Sequence, residues 1–121
     1  MTDPAGRLKM MQQGPVSIVE LVDKKILDEA RIADIGERLY ALVAESAQPR
    51  IVLDFVNVGH MSSSALGMLI TLHKRVRDKE GVLRLCNIRP SIHEVFEITR
   101  LTEVFGIRAS REEAIREAAS S

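Results

Sequence analysis

Hydrophobic positions along this 121-residue chain repeat with two periods, one near two residues and one near 3.6. The stretch VSIVELV (Val16 to Val22) puts Val16, Ile18 and Glu20 on one side and Ser17, Val19 and Leu21 on the other. That alternation predicts a strand, with either side able to face a core. Arg7 to Met11 precedes it across Gly14-Pro15 and is expected to pair with it as an antiparallel edge, making a hairpin. From Asp28 the period lengthens. Ile32, Ile35, Leu39, Leu42 and Val43 define one face of a helix that Asp28 caps and that stops before Pro49. Ile51, Val52 and Leu53 then run without alternation, as in a strand buried on both faces by helices of an α/β sheet.

After GHMSSS, Ala65, Met68 or Leu69, Leu72 and Val76 mark a second helix from about Ser64 to Lys79, with basic residues in its last turns and Gly81 to close it. Its first two turns are apolar nearly all round through Leu66, Met68, Leu69 and Ile70, more than one buried stripe requires. Val82 to Ile88 reads as a further strand. Pro90 opens a short helix with Ile92, Val95, Phe96 and Thr99 on one face, and Phe105 to Ile107 adds an edge strand. Ser110 and Glu113 have the spacing of a capping box ahead of Ala114, Ile115 and Ala118. Strands alternating with helices imply right-handed crossovers and a largely parallel sheet, made mixed by the hairpin.

Composition narrows the class. The length suits one domain, expected to span residues 1–121 with its core at about 8–119 and residues 1–7 flexible. Aromatic residues are 3% of the chain, so the core is aliphatic. Seventeen basic residues balance seventeen acidic ones, leaving no net field to draw the chain to nucleic acid or an anionic membrane. The one cysteine, Cys86, reads as a small buried hydrophobe in a reducing compartment, so the expected location is the cytoplasm. No apolar run reaches the roughly 18–20 residues needed to span a bilayer. No metal-ligand cluster and no phosphate-binding glycine loop are visible, so no cofactor is expected.

Candidate chemistry lies beyond the carboxyl end of the strand at Ile51 to Phe55, where α/β sheets gather ligands and partners. Asp54 closes that strand, either bonding neighbouring loop amides or acting at a site. One of Ser62, Ser63 and Ser64 is expected to cap the following helix, which leaves two hydroxyls as loop residues or as acceptors of a phosphate. A phosphate at a helix N-terminus meets a favourable dipole and free N–H groups. It would also add roughly −1.5 to −2 charges beside an apolar surface. Met61, Leu66, Met68 and Ile70 are either core or an adaptable contact patch. The G-x-S-x-G elbow of serine hydrolases is absent. His60, His73 and His93 read as loop and helix-surface residues, and nothing in their spacing makes any of them a base for Ser62 or Ser63.

The stretch IVLDFVNVGHMSSSALGMLITLHKRV resembles the signature of STAS domains, the anti-sigma factor antagonists, in which an apolar strand ending in Asp leads through a short loop to D-S-S-G-L-G at a helix start. ITRLTEVFGI resembles the family's segment after its third helix. The resemblance implies a mixed, largely parallel sheet of four or five strands with about four helices. It places the phosphorylatable serine on Ser63, flanked by Ser62 and Ser64. Ser62 stands where the family carries an acidic residue, and Ala65 where it carries Gly. In such proteins the unphosphorylated form binds an anti-sigma factor that is a serine kinase of the histidine-kinase-like ATPase fold. Binding frees the sequestered regulator, phosphorylation releases the antagonist, and a serine phosphatase resets it. The implied contact surface is Asp54, His60, Met61, Ser62, Ser63, Ser64, Leu66, Met68 and Ile70, with no enzymatic activity of the chain's own. A STAS domain also serves as a scaffold in a stress-sensing assembly or as a subunit of a phospholipid transport complex. A small hydrolase using Ser63 and His60 is the remote alternative.

Overall fold

The computed structural model describes residues 8–120, so the expected flexibility of residues 1–7 and the place of Arg7 lie outside the described residues. Strands β1 (Leu8–Gln13) and β2 (Val16–Leu21) form the expected antiparallel hairpin, with Leu8 opposite Leu21 and Gln13 opposite Val16. Gly14 takes the left-handed φ of +59° that the turn requires, a conformation open to glycine at little cost. After a two-residue strand β3 (Lys25–Ile26) come α1 (Glu29–Ala44), β4 (Arg50–Asp54), a two-residue β5 (His60–Met61) and α2 (Ser63–Asp78). The chain continues through β6 (Val82–Cys86), α3 (Pro90–Ile98), a 3-10 turn (Leu101–Glu103), β7 (Gly106–Arg108) and α4 (Arg111–Ser120). The main sheet has the order β1-β2-β4-β6-β7 and is parallel except for the hairpin, whereas β3 and β5 pair with each other in a separate parallel ladder.

Both faces of the sheet are covered, which is why its strands carry apolar residues at consecutive positions. Val19, Leu21, Ile51, Leu53, Leu83 and Leu85 join the main core with α1, α2 and α3. Val16, Ile18, Val52 and Cys86 face the other way, against Ala114, Ile115 and Ala118 of α4. The undecided sidedness of β2 is thereby resolved: both of its faces are buried. Phe55 and Phe96 are fully buried, each contributing roughly 1.5–3 kcal/mol of transfer free energy.

The caps follow the local chemistry. Asp28 Oδ2 accepts from Arg31 N at 3.1 Å, and Ser110 Oγ from Glu113 N at 3.2 Å. At the far end of α1, Lys79 Nζ donates to the carbonyls of Val43, Ala44 and Ser46, satisfying groups that a helix end leaves open. Gly81 does not supply the left-handed residue that ends α2. Glu80 does, at φ 54°, and Gly81 is needed because a Cβ there would run into the Pro49 carbonyl. On α1, Leu42 is half-buried and Gly36 buried, because α2 crosses close enough that a Cβ on Gly36 would lie 3.0 Å from Met68 Cγ. On α3 only Ile92 and Phe96 are buried; Val95 and Thr99, expected on the same face, are exposed because α3 packs along a single narrow stripe.

Candidate functional site

The site is the junction where the chain leaves β4 and enters α2. Asp54 is 1% exposed, and every bond it makes is internal. Its Oδ1 accepts from Val56 N at 2.9 Å and from Asn87 Nδ2 at 3.0 Å, and its Oδ2 from Arg111 Nε at 2.7 Å. Asp54 is therefore a holder of loop amides, as one of its two readings expects. Its place among exposed contact residues is corrected, since a carboxylate so deeply paired presents nothing to a partner.

Past Asp54 the loop is pinned at each step. Phe55 N donates to Cys86 O at 3.0 Å, Val58 N to Phe55 O at 2.9 Å, and Gly59 N to Lys24 O at 2.8 Å. Asn57 Nδ2 reaches Glu20 Oε2 at 3.0 Å and Leu21 O at 3.2 Å. Then β5 pairs with β3, His60 opposite Lys25 and Met61 opposite Ile26, and Ser62 N donates to Ile26 O at 3.1 Å. The exposed side chains of Lys24, Lys25, His60 and Arg89 sit around this loop, and Arg89 Nη2 donates to Val56 O at 3.3 Å.

The three serines have three different surroundings. Ser62 is the N-cap of α2, with extended backbone (φ −90°, ψ 168°), and its Oγ accepts from Ala65 N at 3.2 Å. Ser and Asp are comparable caps, so Ser62 keeps the capping role open to the acidic residue it replaces. Ser64, in the first turn, donates its hydroxyl to Glu29 Oε1 at the start of α1, at 3.2 Å. Between them Ser63 is exposed at the first helical position, and among the described residues its hydroxyl has no hydrogen-bond partner.

The apolar residues of α2 divide differently from the sequence expectation. Leu66 and Met68 are buried, at 9% and 8% exposure, because α2 packs on the sheet and on α1 together and so needs more than one apolar stripe. Of their two readings the core one therefore holds for Leu66 and Met68, and the contact surface that the resemblance implies is corrected to leave them out. Tyr40 of α1 closes over the same region, its hydroxyl donating to Met68 O at 3.3 Å. Met61 and Ile70 are half-buried at the margin of the core, while Ser63, Ser64 and Gly67 form the exposed face of the first two turns. A Cβ built on Gly67 would meet no atom within 4 Å.

The imidazoles lie elsewhere in chemical terms. His60 is exposed on β5; His73 packs edge to face on Phe105 at 5.6 Å; His93 Nδ1 lies 3.2 Å from Glu97 Oε1. Among the described residues none of the three hydrogen-bonds Ser62, Ser63 or Ser64. Burial and the Arg77 charge hold His73 below its ordinary pKa. Cys86 is fully buried, and burial, followed by the Asp54 charge, pushes its thiol up to about 12 against an opposing effect of Arg111.

Glu29, Glu20, Asn57, Asn87 and Arg111 escaped the sequence reading. One signal did exist for Arg111, which occupies the first position of α4, where the helix dipole disfavours a cation. Such a residue is explained by carboxylates that hold it there.

No helix among the described residues is long and apolar enough to cross a membrane. The STAS domain family profile matches residues 7–114. Over 89 residues the chain is 32% identical to BtrV of Bordetella bronchiseptica, covering 74% of this chain and 76% of that protein. Over 82 residues it is 31% identical to the anti-sigma-B factor antagonist of Bacillus subtilis, covering 68% and 73%. Among solved structures, an anti-sigma-factor antagonist (STAS) domain protein from Planctomyces limnophilus superposes with a TM-score of 0.85 at 22% identity, covering 93% of this chain and 98% of that one. The Bacillus protein SpoIIAA, solved in its phosphorylated form, superposes with a TM-score of 0.70 at 19% identity, covering 91% and 97%. With a matching profile over most of its length, and a fold that superposes on a solved STAS domain over 93% of the chain, the chain belongs to the STAS domain family.

Proposed function

We propose that this protein is an anti-sigma factor antagonist that acts by phosphorylation-controlled partner switching, with Ser63 as the acceptor. The observation that carries the reading is the unequal state of three adjacent hydroxyls. Ser62 caps the helix and Ser64, though exposed, is held by Glu29, whereas the exposed Ser63 hydroxyl has no hydrogen-bond partner among the described residues. In its unphosphorylated form the protein docks through the exposed start of α2, with His60, Met61, Ser62, Ser63, Ser64 and the margin of Ile70, on an anti-sigma factor. That partner is a serine kinase of the histidine-kinase-like ATPase fold, and docking frees the regulator it sequesters in the cytoplasm.

Phosphate on Ser63 reverses the docking for a physical reason. It places roughly −1.5 to −2 charges on a face whose neighbours Ser64 and Gly67 are uncharged, beside the Glu29 carboxylate. A docked partner then meets both charge repulsion and the cost of desolvating the phosphate. The N–H groups of the first turn and the helix dipole tolerate the same charge in the free protein, so the switch acts on binding more than on folding. A serine phosphatase restores the docking form. No catalytic group of this chain takes part.

The test is affinity capture from native cytosol with three baits, each checked for folding: wild type, Ser63→Ala and Ser63→Glu. Retention of a histidine-kinase-like ATPase by Ser63→Ala and its loss with Ser63→Glu is the expected result. Identical partners on all three baits would overturn the switch and leave a constitutive scaffold or transporter-associated STAS module, with the serines acting as cap and loop.

A further inference from the structure

A heavily bonded polar cluster lies behind the serine loop. Arg111, the first residue of α4, donates to Asp54 Oδ2 through Nε and to Glu20 Oε1 through Nη2, both at 2.7 Å. The two carboxylates lie at the carboxyl ends of adjacent parallel strands, Glu20 next to last on β2 and opposite Asp54, the last residue of β4. The side chain of Asp54 is 2% exposed and that of Glu20 18%. Without a cation between them, two largely desolvated negative charges would face each other across one strand spacing. Both carboxylates also hold the loop on their other oxygens. Asp54 Oδ1 takes Val56 N, and Glu20 Oε2 takes the side-chain amide of Asn57. Three residues further on, the chain enters β5 and then the Ser62 cap.

We infer that Arg111 is a positioning residue for the acceptor loop: it clasps Glu20 and Asp54 so that the seating of α4 on one face of the sheet sets residues 55–62, and with them the presentation of Ser63. The clasp rests on the switch reading for its consequence, but its geometry belongs to the free protein. It also gives Asp54 a part at the site without contact, through Arg111 on one oxygen and the loop on the other. The rest of α4 is anchored separately. Arg50 Nη1 donates to Ala118 O and Ala119 O near its far end, and Glu117 pairs with Arg84 and Arg108. The bonds of Arg50 go to the far end of α4 and not to the loop, so Arg50 provides the control.

Amide hydrogen exchange on the isolated protein tests the clasp without any partner or kinase. The reporters are the N–H groups of Val56, Val58, Gly59 and Ser62, each internally hydrogen-bonded, compared with Leu53 in the central strand. In Arg111→Met the four loop amides are expected to exchange roughly ten-fold or more faster relative to Leu53, since opening the loop no longer breaks bonds to a paired carboxylate. Arg50→Met leaves that ratio at the wild-type value. Arg111→Lys, which keeps the charge but loses the fork that spans two carboxylates, falls between them. Should Arg111→Met fail to fold, Arg111→Lys and Glu20→Gln carry the same comparison. Loop amides that speed up only in step with Leu53, or equally in Arg50→Met, would overturn the inference while leaving the proposed switch at Ser63 untouched.

Discussion

Gly67 is the position where folding and binding pull apart most clearly. It sits one turn after Ser63 inside α2, its residue is exposed, and apart from its chain neighbours and the helix's own backbone no heavy atom lies within 4 Å of the place a Cβ would take. Nothing in the free protein therefore needs a glycine, although glycine in a helix interior is less favourable than alanine by about 0.8–1 kcal/mol. Gly67→Ala should stabilise the fold by that amount. With an unfolding entropy of about 2.1 cal/mol/K per residue, a chain of 121 residues loses about 0.25 kcal/mol of stability per degree near its midpoint. The expected rise in Tm is then about 3–4 °C, readable by thermal denaturation followed by circular dichroism, with a matching rise in the urea midpoint at unchanged slope. If the proposed docking extends over this bare turn, the same methyl group weakens capture of the kinase. A variant less stable than wild type would refute the steric argument. One that is more stable and binds undiminished would refute the docking role of this turn.

Three further outcomes follow from particular contacts. Ser62→Ala removes the cap on Ala65 N and should lower stability by about 1 kcal/mol, whereas Ser62→Asp should hold it near wild type; urea unfolding of the pair measures the difference. Glu117 is held down to about 2 by its hydrogen bonds to Arg108 and Arg84. A carboxylate whose pKa is depressed on folding stabilises the native state above the unfolded value, so this contribution is lost as pH falls from about 4.5 toward 2; Glu117→Gln should flatten acid unfolding in that window. Cys86, buried with its thiol pushed up to about 12, should resist thiol reagents at neutral pH and react at the rate of unfolding or of α4 release; fast stoichiometric labelling of the native protein would contradict its burial.

Much of the architecture was legible because it depends on local periods. An unbroken apolar run at Ile51–Leu53 and 3.6-residue spacing from Ile32 to Val43 each state how many sides of an element are covered, whereas the alternation in Val16–Leu21 gave the strand but not that both of its faces are buried. Capping is equally local, so Asp28 and Ser110 could be read in advance, as could the need for one of the three serines to cap α2. Which serine, the sequence could not say: the cap is set by where Ile26 O receives Ser62 N, a contact between strands of two residues each, too short to leave a period.

Tertiary structure alone decided the rest, since the deciding partners are far apart in the chain. Leu66 and Met68 look available on a helical wheel, and they are buried because α1 crosses α2 at Gly36 and Tyr40. Ser64 is separated from Ser63 in chemical state by Glu29, thirty-five residues upstream. Asp54 passes from candidate contact to buried support through Arg111, fifty-seven residues downstream. Local spacing therefore determined the elements and placed three hydroxyls at one helix start; only folding assigned each hydroxyl its partner, because hydrogen bonds and burial depend on distances in space that the chain's own periods do not encode.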